Sequence, residues 1–491
     1  MPVWLISLVL GGASATGFAP LNWWFVTILG FAGLIALIER APTLWRALKL
    51  GWWFGLGHFT IGLNWIATAF YYQDAMPHWL GWIAVVLLSL YLAVYPAAAV
   101  GLAWRWGKPS LIPLSLIFAA SWIVTEWLRA TMFTGFAWNP LGVTLVEIGT
   151  LSRWIGTYGL SGFVILTAGA VAGLGVGKWR QAMPLLLPII AASGGTILSP
   201  APPPDKPDRL RIVQPNINQN EKYSDELTVR NIRRLVDLTG APTATPRLVM
   251  WPEAAIPYAL EDDADARAAF AGLLGPRDIL LTGGDAIVYD KKGNMVAARN
   301  SLFALDAKAR ILARYDKSHL VPYGEYLPMR PILSVIGLSR LVPGDMDFLP
   351  GPGPQTYALP GFGKAGVQIC YEIIFSGQVV DRHNRPDFLF NPSNDAWFGA
   401  WGPPQHLAQA RMRAMEEGVP IIRSTPTGIS AVIDADGTIR NHLPWHQAGA
   451  MSAPLPAPLS PTPFARYGNL LPFLFAILLT AISIAVRRRT R

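Results

Sequence analysis

Gly366-Val-Gln-Ile-Cys370-Tyr-Glu-Ile-Ile-Phe375 is an apolar run interrupted by one thiol and one carboxylate, and the fold turns on how it is read. Cys370 is the only cysteine in 491 residues. It has no partner for an intrachain disulfide, and no CxxC pair or Cys/His cluster makes it a metal ligand. Two roles remain. A free cysteine is commonly a small buried core residue, but a thiol delivered by a strand also suits a nucleophile. The run by itself leaves both open.

Working outward, the surrounding sequence alternates short apolar strands with helical stretches. Strands are expected at 210–214, 247–250, 279–282, 301–304, 364–369, 388–390, 420–423 and 429–433, and helices at 224–238, 263–273 and 403–417. Asp434-Ala-Asp-Gly437 reads as a turn between two strands. This alternation predicts a layered α/β domain at 209–455. A stiff Pro-rich linker at 200–208 precedes it, and a return segment at 456–491 follows. Such domains place chemistry just past strand ends. Three polar groups fall there: Leu248-Val-Met-Trp-Pro-Glu253, the loop Arg314-Tyr-Asp-Lys317-Ser-His-Leu-Val-Pro-Tyr-Gly-Glu325-Tyr, and the thiol. Each also has a plain reading, Glu253 as an exposed strand-end charge and Lys317 as a surface lysine paired with Asp316.

The N-terminal 199 residues are different. They are dominated by apolar runs, and residues 1–200 hold nine Lys/Arg and four Asp/Glu. Runs near the roughly 20 residues that cross a bilayer lie at 3–19, 22–38, 50–70, 79–104, 112–130, 159–177, 181–198 and 469–486. The expectation is a polytopic α-helical membrane domain of about eight spans, seven before the α/β domain and one after. Arg40, Arg46 and Lys49, then Arg105 and Lys108, then Lys178 and Arg180, and the tail Arg487-Arg488-Arg489-Thr490-Arg491 all fall on one face for that count. The positive-inside rule makes this face cytoplasmic, with both termini. The 71–78 connection has no Lys or Arg and falls outside, as does 200–468. Ala13-Ser-Ala15 resembles a signal cleavage site, but no basic region precedes it, so the first run is expected to be a span. The net charge of +9 orients helices and meets anionic lipid; no arginine-rich or aromatic motif points to nucleic acid. Glu126 and Arg129, one turn apart, are expected to form a local ion pair, and His58 and Asn64 to pack helices. No broken-helix inverted repeat suggests a transporter.

In the order Glu, Lys, Cys, the strand-end groups resemble the nitrilase (carbon–nitrogen hydrolase) superfamily. The motifs WPE (251–253), YDKSHLVPYGEYLP (315–328), ICYEIIF (369–375) and NPSNDAWFG (391–399) more narrowly resemble apolipoprotein N-acyltransferases, over nearly the whole chain. The resemblance implies an inserted α/β nitrilase-like α-β-β-α sandwich. It makes Glu253 the general base, Lys317 the stabiliser of the tetrahedral intermediate and Cys370 the nucleophile. Glu325, Tyr371 and Glu372 become supporting residues, with Glu372 holding the turn and the Tyr371 N–H sharing the oxyanion. Tyr223, Trp397 and Phe398 become candidates for substrate contact. His319 and His406 do not fit the pattern and are expected to be structural.

The implied reaction takes an acyl chain from a glycerophospholipid, most often phosphatidylethanolamine. It passes the chain through a Cys370 thioester to the α-amine of an S-diacylglyceryl-cysteine apolipoprotein. No cofactor and no metal is implied, and a monomer in the inner membrane with an exoplasmic catalytic domain is favoured. The stretches 254–260 and 333–350 read as loops that cover the site or dip into lipid. Two positions depart from the family: Tyr223 where Trp is common, and Pro426, in Ser424-Thr-Pro426-Thr-Gly428, where Asn is usual. The alternative is a membrane-tethered amidase acting on a small exoplasmic substrate, for which eight spans are more than a tether requires. A non-enzymatic assembly factor or transporter is opposed by the intact Glu253/Lys317/Cys370 set.

Overall fold

Apolar runs in lipid satisfy their backbone groups internally, and here they do so as helices. A computed structural model describes residues 1–72, 76–108, 110–186, 208–222, 224–333, 335 and 347–489. The chain divides into two units, one of Met1–Ala67, Trp79–Ala201 and Pro461–Arg491, the other of Thr68–His78 and Pro202–Ser460.

In the first unit, Leu80–Gly107, Leu111–Thr131, Leu141–Gly175 and Leu470–Arg489 are long and apolar enough to cross a membrane. They answer the runs expected at 79–104, 112–130, 159–177 and 469–486. Val3–Gly17 is a shorter apolar helix, and Trp24–Arg40 is helical for 17 residues. The protein is therefore a multi-pass membrane protein, but four segments among the described residues meet the span criteria, where about eight were expected. The run at 50–70 begins earlier, as helix Leu44–Gly62. Its N-terminus is set by Thr43, whose hydroxyl accepts a hydrogen bond from the Arg46 N–H at 3.3 Å, so Arg46 and Lys49 lie inside it. The third segment turns sharply at Gly156, φ +68°, where a Cβ would collide with the Phe464 ring. Most of the run at 181–198 lies outside the described residues, as do 200–207, Tyr223 and 336–346.

The second unit contains two six-stranded sheets. The strands are β1 Asp208–Gln214, β2 Leu248–Met250, β3 Ile279–Tyr289, β4 Met295–Asp306, β5 Ile311–Asp316, β6 Thr356–Leu359, β7 Gly363–Val367, β8 Phe388–Pro392, β9 Ile421–Ser424, β10 Ser430–Ile433, β11 Ile439–Leu443 and β12 Gly449–Pro454. One sheet runs β12-β1-β2-β3-β4-β5 and the other β11-β10-β9-β8-β7-β6. Side chains alternate across a strand, and both faces here are apolar. Leu210, Ile212, Leu248, Met250, Ile279 and Leu281 pack against Val367, Phe388, Phe390, Ile422 and Val432 between the sheets. Their neighbours Val213, Val249, Trp251 and Leu280 face the other way, onto Leu235 and Phe270 of helices Asp225–Thr239 and Ala264–Ala271. Helix Gly402–Glu417 packs beside β9. The result is a helix–sheet–sheet–helix sandwich in which β2, β5 and β7 each run out just before a polar side chain.

Candidate active site

Three strand ends converge on one buried cluster. β2 leads through Trp251-Pro to Glu253, β5 ends one residue before Lys317, and β7 leads through Gln368-Ile to Cys370. Lys317 is 1% exposed, and its Nζ lies 3.0 Å from Glu325 Oε1 and 3.3 Å from Glu253 Oε1. Asn300, from the middle of β4, donates to the same two oxygens at 2.9 and 2.8 Å. Glu325 Oε2 accepts the Val321 N–H at 2.8 Å, which fixes the loop that carries it.

These contacts decide the protonation states. Burial alone would drive Lys317 neutral, but Glu325 and Glu253 together hold its ammonium well above the ordinary lysine range. Burial works against the charged form of Glu253 too. Lys317, Lys222, Asn300 and the Cys370 thiol outweigh it and keep the carboxylate below its usual value. Cys370 goes the other way. Burial first, then Glu253 and Asp395, raise it well above an ordinary thiol, against Lys317 and the Asn394 N–H, which donates to the sulfur. The resting centre is thus thiol, carboxylate and ammonium. Glu253 Oε2 has no N–H or O–H donor among the described residues, and the Cys370 thiol acts on the same carboxylate.

The nucleophile's backbone is forced. Cys370 sits at φ +51°, a region that side chains with a Cβ rarely adopt, at the start of the tight turn Cys370–Ile374. Glu372 fastens this turn. Its Oε2 accepts the Ile369 N–H at 2.7 Å, and its Oε1 accepts from Tyr315 Oη, Ser318 N, Ser318 Oγ and His319 N at 2.7–3.1 Å. One carboxylate so ties the cysteine turn to the loop that carries Lys317. Tyr371 is buried and packs edge-on to Phe375, on which the His319 ring stacks at 3.8 Å.

From below, His406 Nε2 bonds the Cys370 carbonyl at 3.0 Å, and Asn391 bonds the Gln368 carbonyl at 2.6 Å. Arg423 grips Asp395 at 2.6 and 2.7 Å, next to His406. Trp397 and Phe398 are half-buried; Trp397 meets Tyr72 edge-on, and Phe398 packs on the inter-sheet core and His406. Beyond β9, the Gln214 side chain bonds Thr425 and Ser430, a network in which Pro426 takes no part. Sequence reasoning passed over Asn300, Asn394 and Lys222. The signal for Asn300 was weak, an amide between Arg299 and Ser301 just before the apolar stretch expected at 301–304; Lys222 carried none, being one cation among many.

The two sheets with Glu, Lys and Cys at their strand ends define a domain of the carbon–nitrogen hydrolase class, and the carbon–nitrogen hydrolase family model matches residues 209–460. The model of the apolipoprotein N-acyltransferase N-terminal domain matches residues 10–170. Relatives extend over the full length. The apolipoprotein N-acyltransferases of Rhodopseudomonas palustris and Bradyrhizobium diazoefficiens are each 36% identical over 512 residues, covering 99% of this chain and 95% of each relative. That of Caulobacter vibrioides is 34% identical, covering 97% and 93%. The chain belongs to the apolipoprotein N-acyltransferase family, and it is an N-acyltransferase of the carbon–nitrogen hydrolase type.

Proposed function

We propose that Cys370 carries an acyl chain from a glycerophospholipid, phosphatidylethanolamine first among them, to the α-amine of S-diacylglyceryl-cysteine apolipoproteins. Glu253 acts as general base and Lys317 as oxyanion stabiliser. The observation that carries this reading is the divided use of the Glu253 carboxylate, one oxygen held by Lys317 and Asn300, the other left without an N–H or O–H donor among the described residues, with the Cys370 thiol acting on the same carboxylate.

As sulfur attacks the ester carbonyl, its proton passes to Glu253 and the carbonyl electrons to oxygen, where Lys317 and the Tyr371 N–H meet the charge. The intermediate collapses to a thioester, and the lysophospholipid alkoxide leaves with the proton from Glu253. In the second half the α-amine attacks the thioester and Glu253 takes its proton. The C–S bond breaks, and the proton returns to sulfur with the amide formed. Glu325 and Asn300 hold Lys317 and Glu253 in register throughout. Glu372 and Tyr371 hold the turn, and Trp397, Phe398 and Tyr223 contact the acyl chains. Excluding water keeps the thioester for the amine.

The charge pattern of the loops supports eight spans, an exoplasmic catalytic domain in the inner membrane, and a cytoplasmic basic end after Leu470–Arg489. The test is the intact mass of detergent-purified protein after incubation with phosphatidylethanolamine. A hydroxylamine-labile acyl adduct is expected, absent in Cys370→Ala and discharged by a diacylglyceryl-cysteine peptide. Equal discharge by water would make the chain a hydrolase.

A further inference from the structure

Two charged side chains at the same centre take no part in the chemistry above. Lys222 ends the helical turn Gln219–Lys222, and its Nζ donates to the backbone carbonyl of Glu253 at 3.4 Å. Glu253 therefore lies between two cations, Lys317 on its carboxylate and Lys222 on its main chain. Asp285 lies on β3 directly opposite Asn300 on β4. Opposed residues of an antiparallel pair project from the same face of the sheet, and Asn300 reaches Glu253 and Glu325 from that face. Asp285 therefore projects on the catalytic side.

Its surroundings are those of a recess. Gly284 and Ala286 are buried while Asp285 opens to solvent. Yet protein crowds it enough that burial raises its carboxyl to about 6, with Glu325 and Glu253 adding and Lys222 opposing. A group that touches water and is still hemmed in by protein stands on the wall of a concave opening. Lys222 has the same character. It is half-buried, its ammonium is lowered first by burial and also by Lys317, and Glu253, Asp285 and Cys370 hold it up. A cation and an anion thus stand beside the Glu253 carboxylate, and the cation also acts on the Cys370 sulfur.

We propose that Lys222 and Asp285 form a headgroup subsite that reads the lipid donor as a zwitterion, Lys222 taking the phosphodiester and Asp285 the primary ammonium. This rests on the acyl-transfer reading and names what that site recognises. In a glycerophospholipid the short glycerol backbone separates the ester carbonyl from the phosphate, so a carbonyl placed at Cys370 brings the phosphate beside the thiol. A lysine beside the base meets it there as a point charge. The neighbouring carboxylate then distinguishes an ethanolamine headgroup from an uncharged polyol.

The experiment measures acyl-enzyme formation on the full-length protein with three donors: phosphatidylethanolamine, phosphatidylglycerol, and a p-nitrophenyl fatty-acid ester without a headgroup. Lys222→Met should lower kcat/KM for both lipids relative to the ester by about tenfold or more, the size of a lost charge-assisted contact. Lys222→Arg should restore the ratio. Asp285→Asn should lower phosphatidylethanolamine relative to phosphatidylglycerol by about tenfold. If Lys222→Met slows all three donors alike while Lys222→Arg does not, Lys222 tunes Glu253 and the phosphate assignment falls. An unchanged ethanolamine-to-glycerol ratio in Asp285→Asn removes the ammonium assignment. A wild-type protein acylated by the ester and by neither lipid overturns the acyl-transfer reading itself, and the subsite with it.

Discussion

Each unit of this chain buries a glutamate beside a cation, and the two arrangements do opposite work. In the first unit, Glu126 and Arg129 are 3.9 Å apart, the local pair expected from the sequence, but their shorter bonds go elsewhere. Glu126 accepts from Leu141 N at 2.7 Å, Trp122 Nε1 at 3.2 Å and Ser161 Oγ at 2.5 Å. Arg129 donates to the carbonyls of Phe136, Trp138 and Asn139. Both charges are occupied in fastening residues 136–142 to the helix. In the second unit, Glu253 and Lys317 are as deeply buried, but one Glu253 carboxylate oxygen lacks an N–H or O–H donor among the described residues. An unsatisfied buried polar atom costs about 1–3 kcal/mol. The first cluster removes that cost; on the role proposed for Glu253 the second keeps it, because the missing partner is the proton to be moved. Satisfaction, more than burial or charge, separates the two.

The largest test exchanges a carboxylate for an amide of the same shape in each cluster. Glu253→Gln should slow acyl-enzyme formation by about 10²–10⁴-fold, the range for loss of a general base. Glu126→Gln should leave the rate of the folded protein near wild type. Acylation rates from intact mass, normalised to folded protein, check both. Similar losses in the two variants would erase the distinction.

The second test reads stability. Arg129→Met strands two buried carbonyls, a part-buried one and the charge of Glu126, and should cost about 3–5 kcal/mol, the price of breaking a buried pair from one side. Thermal unfolding in detergent should show the loss, with acylation by the surviving folded fraction intact. Retained stability with lost acylation would place the first-unit cluster on the substrate path.

Of the candidate trio, Glu253 and Cys370 were legible because each follows a strand whose apolar run is visible in one dimension, whereas Lys317 was legible only through the polar motif around it. The helices at 225–239, 264–271 and 402–417 were legible from their spacing in the same way. Asn300 was not, because only the pairing of β4 brings it to Glu253 and Glu325. His406 was dismissed as a base, and nothing in its own helix says that it holds the Cys370 carbonyl. The strands β5, β6 and β12 escaped notice, and β11 was foreseen only as the second arm of the Asp434–Gly437 turn; for β12 the reason is compositional. Gly449-Ala-Met-Ser-Ala-Pro454 offers neither β-branched nor aromatic residues, and it becomes a strand only by pairing with β1. In the first unit, hydropathy misplaced the start of Leu44–Gly62, since the helix continues through Arg46 and Lys49 where an apolar window stops.

The smallest effect is also the sharpest, because it runs against the first. Cys370 is held above an ordinary thiol by burial, then by Glu253 and Asp395. In the wild type its alkylation by iodoacetamide should therefore keep rising with pH beyond the range where a free thiol has levelled off. Glu253→Gln removes one of the anions that oppose ionisation and leaves Lys317 with one carboxylate fewer to share. The alkylation profile should then move to lower pH while acyl transfer collapses. Glu126→Gln should leave the profile where it is, since Glu126 is not among the groups acting on the sulfur. A thiol made more acidic in an enzyme made slower would show that Glu253 works by accepting the proton during attack, and not by keeping a thiolate in waiting. A profile that moves to higher pH in Glu253→Gln would mean that the carboxylate stabilises a preformed thiolate pair, and the proton-transfer role assigned to it would fall.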